Sequence, residues 1–223
     1  MNTEPVVRDD WRRALRVTAV VFVIFLLQHY FRRYGQPIGK TYFNILFASI
    51  ALTGLTMIAA SYLTGPLARL WPARWTQYRD LRKQFGLIGV ALVVLHVVLA
   101  LTILTPAYYP KIFSEVGRLS PLGQISMLAG AVAFVGLLVV TATSLPSVAA
   151  NMTARGWSIV QRSGLIAVIL SVLHFIVFKW RGWFNLANWN NYIPPGTFVV
   201  TAFILFVFLI RFAAYISERR KAL

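Results

Sequence analysis

The sequence contains no cysteine and very few acidic residues. Without cysteine, the chain can form no disulfide, no thiolate ligand for a metal and no iron–sulfur cluster from its own residues. Asp and Glu together account for only 6 of the 223 residues, and none of them lies inside a long apolar run. No glycine-rich phosphate loop follows a strand pattern, and no segment between apolar runs exceeds about 20 residues. These residues therefore leave no room for a nucleotide-binding domain.

Long uncharged apolar runs dominate what is present, since 58% of the residues are hydrophobic. A run of about 18 or more such residues can cross the hydrocarbon core of a membrane as a helix. Six runs do so, at residues 14–31, 41–64, 84–105, 121–145, 158–178 and 197–216. The first is long and is followed by no small-residue cleavage site, so it is not expected to be a signal peptide. The pattern predicts an all-α fold, an integral membrane bundle of six transmembrane helices in one domain, 1–223, with its core at about 39–211.

The net charge is +16, and its distribution predicts the orientation of the chain. The basic residues flank the apolar runs, so membrane lipid with anionic headgroups explains them better than nucleic acid, which is not expected as a partner. With the N-terminus inside, 15 of the 22 Lys and Arg residues lie on the cytoplasmic side and 7 on the other. The positive-inside rule therefore predicts that both termini are cytoplasmic.

All three histidines lie in or at the edge of predicted spans, and His96 and His174 lie well inside, where an ionisable side chain is expensive and is a functional candidate. His96 follows Lys83 by 13 residues, and His174 follows Arg162 by 12. At a rise of about 1.5 Å per residue, both imidazoles lie roughly 18–20 Å up helices that run in the same direction. Two histidines at matched depth can ligate one haem iron from opposite faces. The pattern predicts His96 and His174 as the metal ligands.

Small residues accompany both histidines at the same spacing. Gly89 precedes His96 by seven residues and Ala167 precedes His174 by seven, so each lies on its histidine's face of the helix. A flat macrocycle needs such clearance in a dry apolar pocket. Gly89 and Ala167 are therefore predicted to line a haem-binding pocket together with the two ligands.

Other interpretations remain open at this point. A lone intramembrane histidine can hydrogen-bond to a neighbouring helix, and the chain could be a transporter or an anchoring protein. His29 lies three residues before the pair Arg32 and Arg33, so we expect it at the water-exposed edge of the membrane. It could also be a substitute iron ligand, a propionate contact or part of a quinone or partner site. The basic group at Arg79, Arg82 and Lys83 is interpreted as a lipid-headgroup anchor, or as a grip on a phosphate or propionate.

Several short motifs resemble a known family. They are Arg79-Asp80-Leu81-Arg82-Lys83-Gln84-Phe85-Gly86-Leu87, followed by Leu95-His96; Thr64-Gly65-Pro66-Leu67-Ala68-Arg69; Thr143-Ser144; and Trp157, seventeen residues before His174. The stretch from about Gly39 to Arg211 resembles the ferric-reductase-like transmembrane domain family, and within it the MsrQ/YedZ branch, the haem-binding membrane subunits of periplasmic methionine-sulfoxide reductase systems. Family members often carry a second histidine four residues after the tryptophan, where this chain has Gln161.

The resemblance implies a six-span electron-transfer module with axial ligation by His96 and His174. One haem b per chain is expected, because Gln161 does not replace the second family histidine. FMN is implied by the resemblance alone. The expected activity is that of a redox subunit in the bacterial plasma (inner) membrane. It would take electrons from quinol or a cytoplasmic flavin reductase and pass them to an extracytoplasmic acceptor, which the resemblance makes a methionine-sulfoxide reductase catalytic subunit or another acceptor of the ferric-reductase type. The connections at 105–120 and 179–195 are the predicted docking surface.

Overall fold

The computed structural model describes residues 4–221, and side chains from Asp9 onward apart from Lys40. The side chains of Arg8 and Lys40, both used in predicting the orientation, lie outside that description. Six long helices, numbered here in chain order, are each long and apolar enough to cross a membrane. They are α1 (Glu4–Arg32), α2 (Ile38–Leu70), α3 (Leu81–Thr102), α4 (Pro121–Ala142), α5 (Ala154–Trp183) and α6 (Gly196–Lys221). The prediction of an all-α bundle with six membrane-spanning helices is confirmed.

The starts of α4 and α5 follow from capping residues in the sequence. The Ser120 side chain accepts a hydrogen bond from the Gly123 N–H at 3.0 Å, and Pro121 occupies the first helical position. The Thr153 side chain accepts from the Gly156 N–H at 3.1 Å. Each cap satisfies one of the backbone donors that the first turn of a helix leaves free.

Helix α2 is longer than the sequence predicts. The predicted span ended at 64, before Gly65 and Pro66, whereas the helix continues to Leu70. Proline has no N–H, so the carbonyl of Tyr62, four residues earlier, loses its partner within the helix. Arg211 of α6 supplies one, because its Nη1 donates to the Tyr62 carbonyl at 3.2 Å. A contact from another helix therefore supports α2 past its proline.

The helices are arranged around α2, which packs against α1, α3 and α6 and touches α5. Helices α4 and α5 form a second closely packed pair. The α2–α3 pair meets the α4–α5 pair mainly where α3 touches α4 and α2 touches α5, while α3 and α5 have little direct contact. The main core is formed by apolar side chains of α2, α5 and α6 among others, including Leu55, Ile58, Val168, Val200 and Ile204.

The bundle has two ends. The termini end holds the start of α1, the end of α6 and the α2–α3 and α4–α5 connections. The loop end holds the α1–α2, α3–α4 and α5–α6 connections, the last two of which are long. At the loop end Arg32 donates to the carbonyls of Ile193 and Asn188, the latter at 3.0 Å, and ties the α5–α6 connection to α1.

Candidate functional site

His174 is held by the facing helix α4. Its Nδ1 lies 2.8 Å from the carbonyl oxygen of Ser126 and 3.2 Å from the Ser126 hydroxyl. That hydroxyl also donates to the His174 carbonyl, and Ser126 is almost completely buried. The imidazole is therefore fixed to α4 at both its ring and its backbone.

The bond to the Ser126 carbonyl determines the tautomer of His174. A carbonyl oxygen can only accept, so Nδ1 carries the proton and Nε2 keeps its lone pair. Among the described residues, Nε2 has no hydrogen-bond partner. Histidines that ligate metals usually donate their other ring N–H to a carbonyl or carboxylate in this way. Nε2 of His174 is thus a basic nitrogen that is held in a fixed orientation and has no hydrogen-bond partner among the described residues.

Gly130 makes this approach possible. A Cβ at that position would lie 2.6 Å from Nδ1 of His174, far inside ordinary contact distance. The glycine stands one helical turn after Ser126 on α4, on the face towards α5. Ser126 and Gly130 together form the seat of the His174 ring.

His96 has different surroundings. Its ring lies against Phe47 of α2, with centroids 4.5 Å apart and planes tilted by 40°. Its Nδ1 is buried and has no hydrogen-bond partner among the described residues. No such partner is found there for Nε2 either, and the residue as a whole is half-buried. His96 is therefore oriented by an aromatic contact, with no hydrogen bond fixing its tautomer.

Both histidines lie nearer the loop end than the termini end. His96 is 15 residues from the start of α3 and 6 from its end, and His174 is 20 and 9 residues from the corresponding ends of α5. Because α3 and α5 have little contact of their own, a group held by both histidines would lie between the two helix pairs.

The two histidines suit a centre that needs only two protein ligands. Among the described side chains, no three His, Asp or Glu residues gather as a site for a bare metal ion. Haem brings its own ring of nitrogen ligands and takes its axial ligands from the protein. The oriented Nε2 of His174 and the half-buried, unpaired His96 fit such a group. Ligation by His96 and His174 stays a prediction.

Gly89 and Ala167 lie in helix interfaces. A Cβ on Gly89 would meet Ile58 at 2.7 Å and the Gly54 carbonyl at 2.8 Å, so this glycine lets α3 approach α2. Ala167 is buried, and a Cβ added to Gly136 of α4 would lie 3.3 Å from the Cβ of Ala167. Their predicted contact with a macrocycle remains untested, and their observed partners are the neighbouring helices.

His29 is not at a wet interface, as the sequence suggested, but buried with 8% of its surface exposed. Its Nδ1 lies 2.9 Å from the Phe25 carbonyl in its own helix. A Cβ on Gly196, at the start of α6, would lie 2.9 Å from the ring. The expectation failed because the start of α6 and the preceding loop cover the end of α1, and the sequence of α1 does not encode that contact.

Gln161 lies at the junction of α4 and α5. Its side-chain Nε2 lies within 3.1–3.2 Å of the Val140 carbonyl and of the hydroxyls of Thr143 and Ser144. The backbone carbonyl of Gln161 accepts a hydrogen bond from the Tyr62 hydroxyl at 3.2 Å. The residue is buried. Gln161 thus links α2, α4 and α5. It stands at the position where members of the family that the motifs resemble often have a histidine.

Sequence patterns did not identify three residues of the site. Ser126 and Gly130 could have been suspected only as small residues in a span, and Phe47 only as one of many aromatics. Serine and glycine are common wherever membrane helices approach closely. No local signal distinguishes the pair that touches a histidine from those that touch another helix.

Fold and site together define a class, a multi-pass membrane protein with a pair of intramembrane histidines on facing helix pairs. The comparison with family models narrows that class. Residues 45–171, more than half of the chain, match the family described as "Ferric reductase like transmembrane component". The chain belongs to that family, which confirms the resemblance at the level of the family.

Curated relatives are similar at low identity. Metalloreductase STEAP3 of Rattus norvegicus is 23% identical over 209 residues, covering 81% of this chain and 42% of that protein. Metalloreductase STEAP2 of Homo sapiens is 23% identical over 229 residues, covering 90% of this chain and 47% of that protein. The chain therefore spans less than half the length of these relatives.

Proposed function

We propose that this chain is a membrane electron-transfer module that binds one haem b per chain through His96 and His174. The observation that carries the proposal is the 2.8 Å bond from His174 Nδ1 to the Ser126 carbonyl, which leaves an oriented Nε2 in the half of the bundle that also holds a second intramembrane histidine, His96. Membership of the ferric reductase like family supports it. A transporter is disfavoured because, apart from the histidines, the polar residues of the spans are mainly Ser, Thr, Asn and Gln.

The residues of the site have separate tasks. His174 would hold the haem iron through Nε2, because Ser126 keeps it in the ligating tautomer, and His96 would be the second ligand, with Phe47 limiting its rotation. A bound haem would supply a one-electron redox centre whose potential its ligands and burial tune. The apolar side chains of the spans would keep water away from it.

Electrons would enter from the cytoplasm and leave at the loop end. The donor would be quinol or a cytoplasmic flavin reductase, with FMN suggested only by the resemblance, and the chain would act as the redox subunit of an oxidoreductase system. Both termini would lie in the cytoplasm of a bacterium, with the bundle in its plasma membrane. Exposed apolar side chains at the loop end favour docking of a partner there, namely Val116, Phe184, Leu186 and Tyr192.

Two acceptors are favoured by different observations. The motif resemblance to the MsrQ/YedZ branch favours the catalytic subunit of a periplasmic methionine-sulfoxide reductase. The names of the curated relatives, which are metalloreductases, favour a metal ion or chelate. The fold serves either acceptor, so this choice rests on analogy.

Visible spectroscopy of the purified full chain tests the cofactor. We expect a sharp Soret band, reduced α and β bands, and one haem per chain in a pyridine haemochrome assay. His96→Ala and His174→Ala should each abolish the low-spin spectrum. His29→Ala should retain it, because the His29 ring is hydrogen-bonded to the Phe25 carbonyl of its own helix. Two haems per chain, or an unchanged spectrum in both ligand variants, would refute the proposal.

Oxidation of the reduced haem in membranes tests the acceptor. Adding a purified periplasmic methionine-sulfoxide reductase from the same organism should oxidise it at a rate that depends on the added protein. If only ferric chelates oxidise it, the chain serves metal reduction. A reporter fused after Leu223, which lies outside the described residues, tests the orientation, and an extracytoplasmic signal would contradict it.

A further inference from the structure

Four arginines from four helices lie at the termini end, and two of them, Arg82 and Arg211, contact the ring of Tyr62. The guanidinium carbon of Arg82 lies 5.9 Å from the Tyr62 ring centroid, and that of Arg211 lies 5.6 Å from it. Arg69, which pairs with Glu218 of α6, lies on α2 at the same end of the bundle, and Arg162 lies there on α5. We refer to Arg69, Arg82, Arg162 and Arg211 as the arginine cluster.

The cluster has much more positive than negative charge. Its one ion pair among the described residues joins Arg69 to Glu218 at 3.1 Å. Arg82, Arg162 and Arg211 have no carboxylate partner there. Like charges at short range repel, and the contacts of Arg82 and Arg211 with the tyrosine ring offset only part of that repulsion. The arrangement therefore favours an added anion.

The centre of the cluster is built into the fold. Arg211 donates to the Tyr62 carbonyl at 3.2 Å, the carbonyl that Pro66 leaves without a helical partner. The Tyr62 hydroxyl donates to the Gln161 carbonyl at 3.2 Å. Gly164 of α5 provides the space for the tyrosine, because a Cβ there would collide with its hydroxyl. Three helices thus hold Arg211 and Tyr62 in place.

Attraction to a membrane surface does not account for Arg211. Arg219, Arg220 and Lys221 at the end of α6 are exposed, as expected for side chains among lipid headgroups. Arg211 is half-buried and lies 10 residues before Lys221, about 15 Å further into the bundle at 1.5 Å per residue. Its position relative to Arg82 is set by packing between helices.

We propose that the arginine cluster binds a phosphate group, with Arg82 and Arg211 as its principal ligands. Guanidinium groups present planar pairs of N–H donors that match two phosphate oxygens, and Arg is the preferred residue for this geometry. The phosphate could belong to the headgroup of an anionic phospholipid or to a molecule in solution, and the chemistry of recognition is the same.

Thermal unfolding of the full chain tests the proposal and separates the two sources. One series places the protein in nanodiscs of phosphatidylcholine with increasing phosphatidylglycerol. The other adds inorganic phosphate in a neutral detergent, against chloride at equal ionic strength. The variants are Arg82→Gln and Arg162→Gln, both exposed and therefore expected to fold. The control is Arg219→Gln, whose guanidinium lies over another tyrosine, Tyr215, at 5.2 Å.

We expect the midpoint of unfolding to rise with the phosphate source in the wild type and in Arg219→Gln. In Arg82→Gln, half of the rise should require about tenfold more of that source, because the phosphate loses one charged hydrogen-bond donor; tenfold corresponds to about 1.4 kcal/mol. A response to phosphatidylglycerol alone identifies a lipid headgroup, and a response to inorganic phosphate identifies a soluble ligand. No response in either series, or equal losses in Arg82→Gln, Arg162→Gln and Arg219→Gln, would overturn the proposal.

Discussion

The two helix pairs that carry the histidines achieve close packing at different places. In the α2–α3 pair the tightest approach is between Gly54 and Gly89, two turns away from His96. In the α4–α5 pair a tight approach occurs at the histidine itself, where Gly130 meets the ring of His174. In the α2–α3 pair the close packing of the helices is therefore distant from the histidine, whereas in the α4–α5 pair close packing occurs at the histidine.

This difference indicates how the two histidines are prepared for a ligand. His174 is positioned by contacts with Ser126 that also hold α4 and α5 together, so the ring keeps its orientation as long as these two helices stay packed. His96 leans on Phe47 and keeps an unpaired buried Nδ1, so it can rotate more freely. We infer that His174 is the preorganised member and His96 the adaptable one.

The largest loss of stability is expected for Gly89→Ala. The added Cβ would stand 2.8 Å from both the Gly54 carbonyl and the Ile58 nitrogen, which are backbone atoms that cannot rotate away. Overpacking of this kind costs about 3 kcal/mol. Thermal unfolding in detergent should show it, whereas Gly86→Ala, whose Cβ would be 3.8 Å from its nearest neighbour, should be close to wild type. Molecules that still fold should keep their haem, and loss of haem without loss of stability would break the comparison.

Gly130→Ala should have the opposite profile. Its Cβ would displace the His174 ring, which is a side chain and can turn, so we expect a stability loss of about 1–2 kcal/mol. The Soret absorbance per chain should fall by more than half, because the ring can no longer hold its bond to the Ser126 carbonyl. Gly136→Ala is the matched control in the same pair, because its Cβ would make a tight 3.3 Å contact with the Cβ of Ala167 and would not touch the His174 ring. Equal haem loss in both variants would show that helix packing, and not the ring, is responsible.

Ser126→Ala is expected to weaken the His174 seat without removing it. The variant loses the hydroxyl's bonds to the His174 ring and carbonyl but retains the 2.8 Å bond from Nδ1 to the backbone carbonyl. A net loss of about 1 kcal/mol is typical for such a hydroxyl. The unfolding midpoint should drop slightly and the low-spin spectrum should persist. A switch to a high-spin spectrum would mean that the hydroxyl itself, and not the carbonyl, sets the tautomer.

The smallest effect on haem content is expected for Phe47→Leu. It exchanges the aromatic contact with His96 for a somewhat smaller aliphatic one, at a cost in stability below about 1.5 kcal/mol. If His96 is adaptable, haem content should stay at the wild-type level. A loss as large as that of Gly130→Ala would show that His96 is as strictly positioned as His174.

The sequence predicted the six spans well, because hydropathy is a property of a single helix. The matched depth of His96 and His174 stays a prediction. The sequence was wrong about the end of α2, since the effect of Pro66 depends on Arg211 of another helix. It was also wrong about His29, which the start of α6 covers. Each error has the same origin, a partner distant in the chain.

The sequence alone determined that this is a six-helix membrane protein with histidines inside its spans, because burial in lipid selects long apolar helices and makes any intramembrane imidazole conspicuous. Only the tertiary structure decided that the Ser126 carbonyl accepts from Nδ1 of His174, that Gly89 and Ala167 face neighbouring helices, and that Arg82 and Arg211 from two helices contact Tyr62 of a third. The reason is physical. Apolar length is written along one helix, whereas a side chain's partners depend on how helices pack against one another in space.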